Sequence, residues 1–127
     1  MAKATDPQSL LPLTPAVFQI LLALCDRERH GYAIMREVSA QTDEQLHLGP
    51  GTLYGCLKRM LSAGLVEESE ERPDPELDDE RRRYYRITDL GRRVTRAEAQ
   101  RLESAVSAAR AKKLLPAIRS TLAAWRP

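Results

Sequence analysis

The chain has 127 residues, of which 43% are hydrophobic and 30% are charged, and its net charge is +2. These values are typical of one ordinary domain with a hydrophobic core, or of a small domain with an arm. No run of about 18 apolar residues is present and residues 1–13 lack the apolar core of a secretion signal, so we expect a cytoplasmic protein without a membrane span.

The first predicted helix begins at Thr14, a capping residue followed by Pro15 at the first helical position, and runs to about Asp26. Phe18 and Leu22 form one apolar flank of this helix, so we expect it to pack on two sides. The other apolar face carries Val17, Ile20, Leu21 and Leu24.

A second short helix is predicted from His30-Gly31-Tyr32 to about Thr42, and a basic helix follows from Pro50 to Gly64. A helix with a small, cationic outer face fits the major groove of a nucleic acid, because short residues permit close approach and cations meet phosphates. The inner side of the basic helix carries Leu53, Leu57, Met60 and Leu61. The outer side carries Gly51, Gly55, Lys58 and Ser62, with Tyr54 and Arg59 on the flanks.

Two strands are predicted after this helix, at residues 65–68 and 82–88, the second with aromatic and β-branched residues among arginines. The loop between them is polar and contains Pro73 and Pro75. Residues 67–80 hold nine acidic residues and one basic residue, which leaves 19 basic and 9 acidic residues elsewhere, a balance of +10. Such a balance favours an anionic partner. Two strands joined by a protruding loop, directly after a basic helix, indicate the wing of a winged helix-turn-helix.

A long helix is predicted from a cap at Thr88 or Asp89 to about Leu115, and Pro116 is expected to break or kink it. A helix of roughly 25 residues is longer than a small domain covers by itself, so its apolar stripe predicts pairing with a second copy. The chain beyond the proline is expected to form a short amphipathic tail that contains Trp125. The apolar positions of the long helix are Leu90, Val94, Leu102, Ala105, Val106 and Ala109.

Metal and catalytic sites are not predicted. Cys25 and Cys56 fall within apolar helical patterns, and His30 and His47 are isolated from other ligand types. We therefore expect two buried, reduced thiols, no metal site and no cofactor. The sequence has no Gly-rich phosphate loop, nucleophile elbow or clustered acid–base pair, so it does not predict an enzyme.

Four motifs occur in order between about Leu13 and Arg110. They are Ile20-Leu21-Leu22-Ala23-Leu24, His30-Gly31-Tyr32-Ala33-Ile34, Gly51-Thr52-Leu53-Tyr54 with Gly64-Leu65, and Arg82-Arg83-Tyr84-Tyr85 with Gly91-Arg92. In this set the chain resembles the PadR family of bacterial winged-helix transcription regulators, in the branch with a short C-terminal part. The resemblance implies a homodimer joined through the C-terminal helix, with one DNA-reading helix per subunit. It also implies repression that is relieved when a small molecule binds at or near the dimer interface.

The predicted fold is mainly α, a winged helix-turn-helix with a two-stranded β wing and a long C-terminal dimerisation helix. We divide the chain into a flexible N-terminal arm at residues 1–12, a DNA-binding domain at residues 13–88, and a dimerisation helix with a short tail at residues 89–127. The acidic wing tip at residues 73–80 does not favour insertion into a minor groove, where positive charge is an advantage. The arginines at the base of the wing are better placed to meet phosphates.

The predicted contacts follow from these assignments. Lys58, on the outer face, is a stronger candidate for a base edge or a phosphate than Arg59 on the flank. Two alternatives stay open, since Thr52 is also suited to be a helix N-cap and Tyr54 to pack on the preceding helix. The predicted DNA contacts are Tyr32, Gly51, Thr52, Tyr54, Lys58, Arg59, Arg81, Arg82 and Arg83. The predicted dimer contacts are Phe18, Leu22, Leu102, Val106 and Ala109.

The sequence thus predicts a sequence-specific DNA-binding regulator, and the resemblance implies a homodimeric repressor released by a small-molecule effector, for which a small aromatic compound is the expected type. Its expected partners are double-stranded DNA carrying a palindromic operator, a second copy of the chain and the effector. The alternative is a protein-interaction module, in which the winged helix lacks DNA affinity and the acidic loop binds a basic partner.

Overall fold

A computed structural model describes residues 5–69 and 83–118 of the chain. A 3-10 helix at Pro7–Leu10 comes first, and the remaining elements are α1 (Pro15–Leu24), β1 (Arg29–His30), α2 (Gly31–Gln41), α3 (Pro50–Ser62), β2 (Val66–Ser69), β3 (Tyr84–Ile87) and α4 (Asp89–Ala111). The acidic wing tip, Arg81, Arg82 and Trp125 lie outside the described residues, so the predictions for them are not tested here.

Three of the α-helices begin with a side-chain cap that accepts a backbone N–H. The Thr14 hydroxyl accepts from Val17 at 3.3 Å, and the Thr88 hydroxyl accepts from Gly91 at 3.0 Å, as the sequence predicts for both threonines. His30 caps α2 in the same way, because its Nδ1 accepts the Ala33 N–H at 3.1 Å. A cap of this kind satisfies one of the backbone donors that every helix start leaves unpaired.

The core lies between α1, α2, α3 and the first half of α4. The apolar faces predicted for the first three helices pack there, which confirms their helical periodicity. The largest fully buried apolar side chains are Ile20, Leu21, Leu24, Ile34, Val38, Leu53, Leu57, Met60 and Val94. Burial of this set is the main favourable contribution to folding.

The strands form one antiparallel sheet in the order β1-β3-β2. Val66 pairs with Ile87 between the two wing strands, and His30 pairs with Tyr84 between β1 and β3. Tyr85 is buried while Tyr84 is half-buried, which confirms that strand alternation sends one of the two tyrosines inward. The mainly α winged-helix class is confirmed, and β1 adds a third short strand to the predicted pair.

The junction between α3 and α4 is held by Thr88. Its N–H donates to the Leu65 carbonyl at 3.1 Å and its hydroxyl donates to the Gly64 carbonyl at 2.6 Å. Gly64 adopts φ +75°, the left-handed conformation that glycine provides at the end of a helix, as predicted. A side chain at Gly91 would overlap the Leu65 carbonyl oxygen, so α4 can begin this close to α3 only through glycine.

The N-terminal segment lies against α4. Leu10 and Leu11 pack on the core, and the Leu13 N–H donates to a carboxylate oxygen of Glu98. Glu98 is 1% exposed, and its other carboxylate oxygen accepts from Arg101 Nε at 2.5 Å. This buried carboxylate therefore has partners from both segments, which is what burial of a charge requires.

The second half of α4 extends beyond the domain. The last of its buried residues is Glu98, and residues 99–108 are all exposed. The helix ends at Ala111, about one turn before the predicted end, because Lys113 adopts φ +64° and Leu114 N–H bonds to the Ala109 carbonyl. The predicted end was thus too late, and a left-handed residue rather than Pro116 terminates the helix.

Within residues 5–69 and 83–118, no helix combines the length and the apolar character needed to cross a membrane.

Candidate nucleic-acid interface

The two sides of α3 differ as the sequence predicts. Leu53, Cys56, Leu57 and Met60 are buried against the rest of the domain. The outward side is formed by Gly51, Thr52, Tyr54, Lys58 and Arg59, which are exposed, and by the half-exposed Gly55. We call this set of six residues the α3 face. The α3 face thus combines exposed helix backbone with two cationic side chains, and the opposite side of the helix is packed against the domain.

The start of α3 is open and lacks acidic residues. The helix begins at Pro50 after Gly49, which provides no side-chain cap. Thr52 is therefore the third helical residue, and the alternative that it serves as the N-cap is wrong. The first N–H groups of a helix have no partner within it and carry partial positive charge, so this end of α3 favours an anion.

Tyr54 packs on the preceding helix. Its hydroxyl occupies the space where a side chain at Gly31 would lie, so the glycine at the start of α2 admits the tyrosine ring. Part of the ring remains exposed on the α3 face. The packing alternative is therefore present in the structure, and it leaves the phenol at the edge of the same surface.

Tyr32 extends this surface onto α2. It is 61% exposed, and Arg36 Cζ lies 5.8 Å from the centre of its ring, within the range of a cation–π contact. The His30 ring also stacks with the Tyr32 ring, at a centroid distance of 6.5 Å. Arg36 was not among the predicted contact residues, although it follows Tyr32 by four positions and this spacing places both side chains on the same face of a helix.

The base of the wing carries paired charges. Arg83 Nη1 lies 3.3 Å from a Glu68 oxygen, and Arg86 Nε lies 2.7 Å from a Glu67 oxygen. All four side chains are at least 44% exposed, so each pair contributes little to stability. These carboxylates nevertheless neutralise the arginines locally. Arg83 is thus a weaker candidate for a phosphate contact than its sequence context indicates.

Burial is the main influence on the two shifted pKa values in this region. It raises the pKa of Tyr85, with a further increase from the Glu68 carboxylate and an opposing effect of Arg83. Burial also raises the pKa of the Cys25 thiol, against the lowering effect of the Arg92 charge. Both cysteines are free thiols; Cys56 is buried, as predicted, whereas Cys25 is only half-buried.

Two of the predicted dimer residues, one from α1 and one from α4, come together in the structure. Phe18 of α1 and Leu102 of α4 line the same surface pocket of about 230 Å³, at the point where α4 leaves the domain. Leu102 and Val106, which are four residues apart and therefore on the same side of α4, are 38% and 41% exposed. Leu22 and Ala109 are half-buried.

The model of the transcriptional regulator PadR-like family matches residues 20–97, a span that includes the second half of α1, the α3 face and the start of α4. The chain belongs to the PadR-like family. This family and its structural neighbours are transcriptional regulators and not enzymes, which confirms both the resemblance and the non-enzymatic prediction.

Three similar proteins set this PadR-like chain in context. An uncharacterized protein of Lysinibacillus sphaericus is 32% identical over 73 residues, a match that covers 58% of this chain and 64% of that protein. RosR of H. salinarum is 32% identical with a TM-score of 0.56, covering 77% of this chain and 78% of RosR. PadR of Bacillus subtilis, solved in complex with operator DNA, shares the fold at 20% identity and a TM-score of 0.56, covering 68% of this chain and 47% of that protein.

Proposed function

We propose that this PadR-like protein is a homodimeric repressor that binds a palindromic operator in duplex DNA through the α3 face. The observation that carries the proposal is this exposed surface, in which small residues surround Lys58 and Arg59 on a helix buried from behind. A helix that combines an open backbone with positive charge is suited to recognition in the major groove. The operator complex of Bacillus subtilis PadR provides support from a protein of the same fold.

The projecting half of α4 supports the dimer. Residues 99–108 are exposed, yet the helix continues through them with Leu102 and Val106 on its surface. A second copy would cover these side chains, and a twofold axis would present two α3 faces to two half-sites of one operator. A regulator of this kind would act in the cytoplasm, as predicted from the sequence.

The pocket beside Phe18 supports release by a small aromatic effector. Its walls combine apolar side chains from the N-terminal segment, α1 and α4 with the buried carboxylate of Glu98. A ligand there would touch both the DNA-binding domain and the helix of the proposed dimer. It would thereby change the angle between the two α3 faces, which is the coupling that an effector requires.

The DNA-binding proposal predicts a salt-sensitive complex that depends on Lys58. In fluorescence anisotropy with a labelled duplex from upstream of the protein's own gene, Lys58→Ala is expected to weaken binding about threefold to tenfold. It is also expected to reduce the slope of log affinity against log salt by about one unit for each α3 face that engages, because one phosphate contact per subunit is lost.

Lys112→Ala is the matched control for this experiment. It removes the same charge from an exposed lysine just after the end of α4, away from the α3 face. Equal weakening by the two variants would place the DNA contact elsewhere. Binding to another protein but to no duplex, even in dilute buffer, would favour the interaction module instead.

The effector proposal predicts that flat phenolic compounds bind the pocket and release DNA. Compounds that bind the native state are expected to raise the unfolding temperature and to lower operator affinity in the same titration. Phe18→Leu retains an apolar side chain but removes the aromatic wall, so it is expected to weaken both effects at least fivefold. Unchanged compound sensitivity in Phe18→Leu would place the effector site outside this pocket.

A further inference from the structure

We propose that Arg59 reads a guanine in the major groove, a role that rests on the proposed binding of duplex DNA by the α3 face. Arg59 follows Gly51 and Gly55 at four-residue intervals, so the three residues form one column along the exposed side of α3. This column sets the position of the Arg59 guanidinium.

The two glycines leave the column bare. A Cβ atom at Gly51 would have no neighbour within 4 Å, and one at Gly55 would lie 3.8 Å from Arg59 Nη1. The guanidinium therefore lies directly over Gly55, folded back along the helix. A duplex approaching this side would meet helix backbone and one planar cation, with no side chain of the column keeping it at a distance.

The guanidinium is held only weakly in this position. Arg59 Nη2 donates to the Cys56 sulfur at 3.4 Å, and the sulfur of a cysteine is a weak hydrogen-bond acceptor. Within residues 5–69 and 83–118, no carboxylate forms an ion pair with Arg59, whereas Arg83 and Arg86 of the wing are both paired. The Arg59 guanidinium can therefore leave the Cys56 sulfur for a better hydrogen-bond acceptor at little cost in free energy.

Guanine is the base that offers that acceptor pair. Its O6 and N7 atoms face the major groove at a separation that matches two N–H groups of one guanidinium. A lysine ammonium carries the same charge but lacks the planar fork. Because only the arginine has the planar fork, we assign the base contact to Arg59 and a phosphate contact to Lys58. The sequence alone favoured Lys58 for both the base contact and the phosphate contact.

The test begins with duplexes selected from a random pool by the full wild-type chain. The selected consensus is expected to contain a guanine in each half-site, and its replacement by adenine is expected to lower wild-type affinity about tenfold. Arg59→Lys keeps the charge and is expected to bind both duplexes with nearly equal affinity. Lys58→Ala is expected to lower the affinity for both duplexes by the same factor, so the tenfold preference for the guanine duplex is preserved.

The outcomes separate the two proposals. If the wild type binds the selected duplex and Arg59→Lys keeps the full preference for guanine, or if the consensus contains no guanine, the assignment of Arg59 is wrong and DNA binding stands. A wild type that binds no duplex at low salt overturns both. Arg59→Gln, which keeps polarity without charge, is a second variant and is expected to lose the same preference.

Discussion

Gly91→Ala is expected to destabilise the protein by about 3 kcal/mol. The new Cβ would overlap the Leu65 carbonyl oxygen and approach Ile87 Cγ1 to 2.7 Å, and the first of these is a backbone atom that cannot rotate away. Insertion of an atom into a packed site costs roughly 1–3 kcal/mol, and displacement of α4 would also weaken the Thr88 bonds at about 1 kcal/mol each. Small domains are stable by only about 5–15 kcal/mol, so the loss is large.

Gly51→Ala is the matched control, because it makes the same chemical change in the first turn of another helix. A Cβ at Gly51 meets nothing within 4 Å, and alanine is the better helix former by up to about 1 kcal/mol. We therefore expect this variant to be as stable as the wild type or slightly more stable. Urea unfolding followed by circular dichroism measures both variants, and equal stability would contradict the close approach at Gly91.

Leu102→Glu combined with Val106→Glu is expected to convert the proposed dimer into a monomer. Two buried, unpaired carboxylates per subunit would face each other across the interface, at a cost of several kcal/mol. A monomer presents one α3 face, so its affinity for a palindromic duplex is expected to fall by at least about 100-fold, since the second contact is no longer intramolecular. Sedimentation velocity and fluorescence anisotropy measure the two effects.

Ser104→Glu combined with Ser107→Glu adds the same charge to exposed positions on the other side of α4. This control variant is expected to remain a dimer and to lose much less DNA affinity. A monomeric wild type, or a dimer that survives both charges at Leu102 and Val106, would show that the apolar stripe of α4 is not the interface. Circular dichroism of each variant establishes that the helices remain folded.

Signals that act over a few residues were sufficient for much of the fold. Thr14 and Thr88 cap the helices that follow them, because each hydroxyl bonds an N–H only three residues away. The helical spacing of apolar residues likewise separated the buried side of α3 from the outward side. The ordered motifs by themselves indicated the PadR-like family.

The features that the sequence did not predict arise where segments that are distant in the chain come into contact. β1 has only two residues, too few to show a period of two, and it exists because Arg29 pairs with Tyr85. Glu98 looked like one more charged residue on a helix, yet it bonds Leu13, which is 85 positions earlier in the chain. His30 stands at the predicted start of the second helix, and only the structure shows that its side chain caps α2.

The sequence by itself determined where the four α-helices begin, which side of α3 faces outward and which family the chain belongs to. Only the tertiary structure decided that Gly91 must lack a side chain, that a carboxylate ties the N-terminal segment to α4 and that the Arg59 guanidinium lies over Gly55. The physical reason is the distance along the chain over which each kind of interaction acts. Capping and periodicity depend on neighbours within about one helical turn, whereas clashes, buried ion pairs and side-chain directions depend on which elements come together in space.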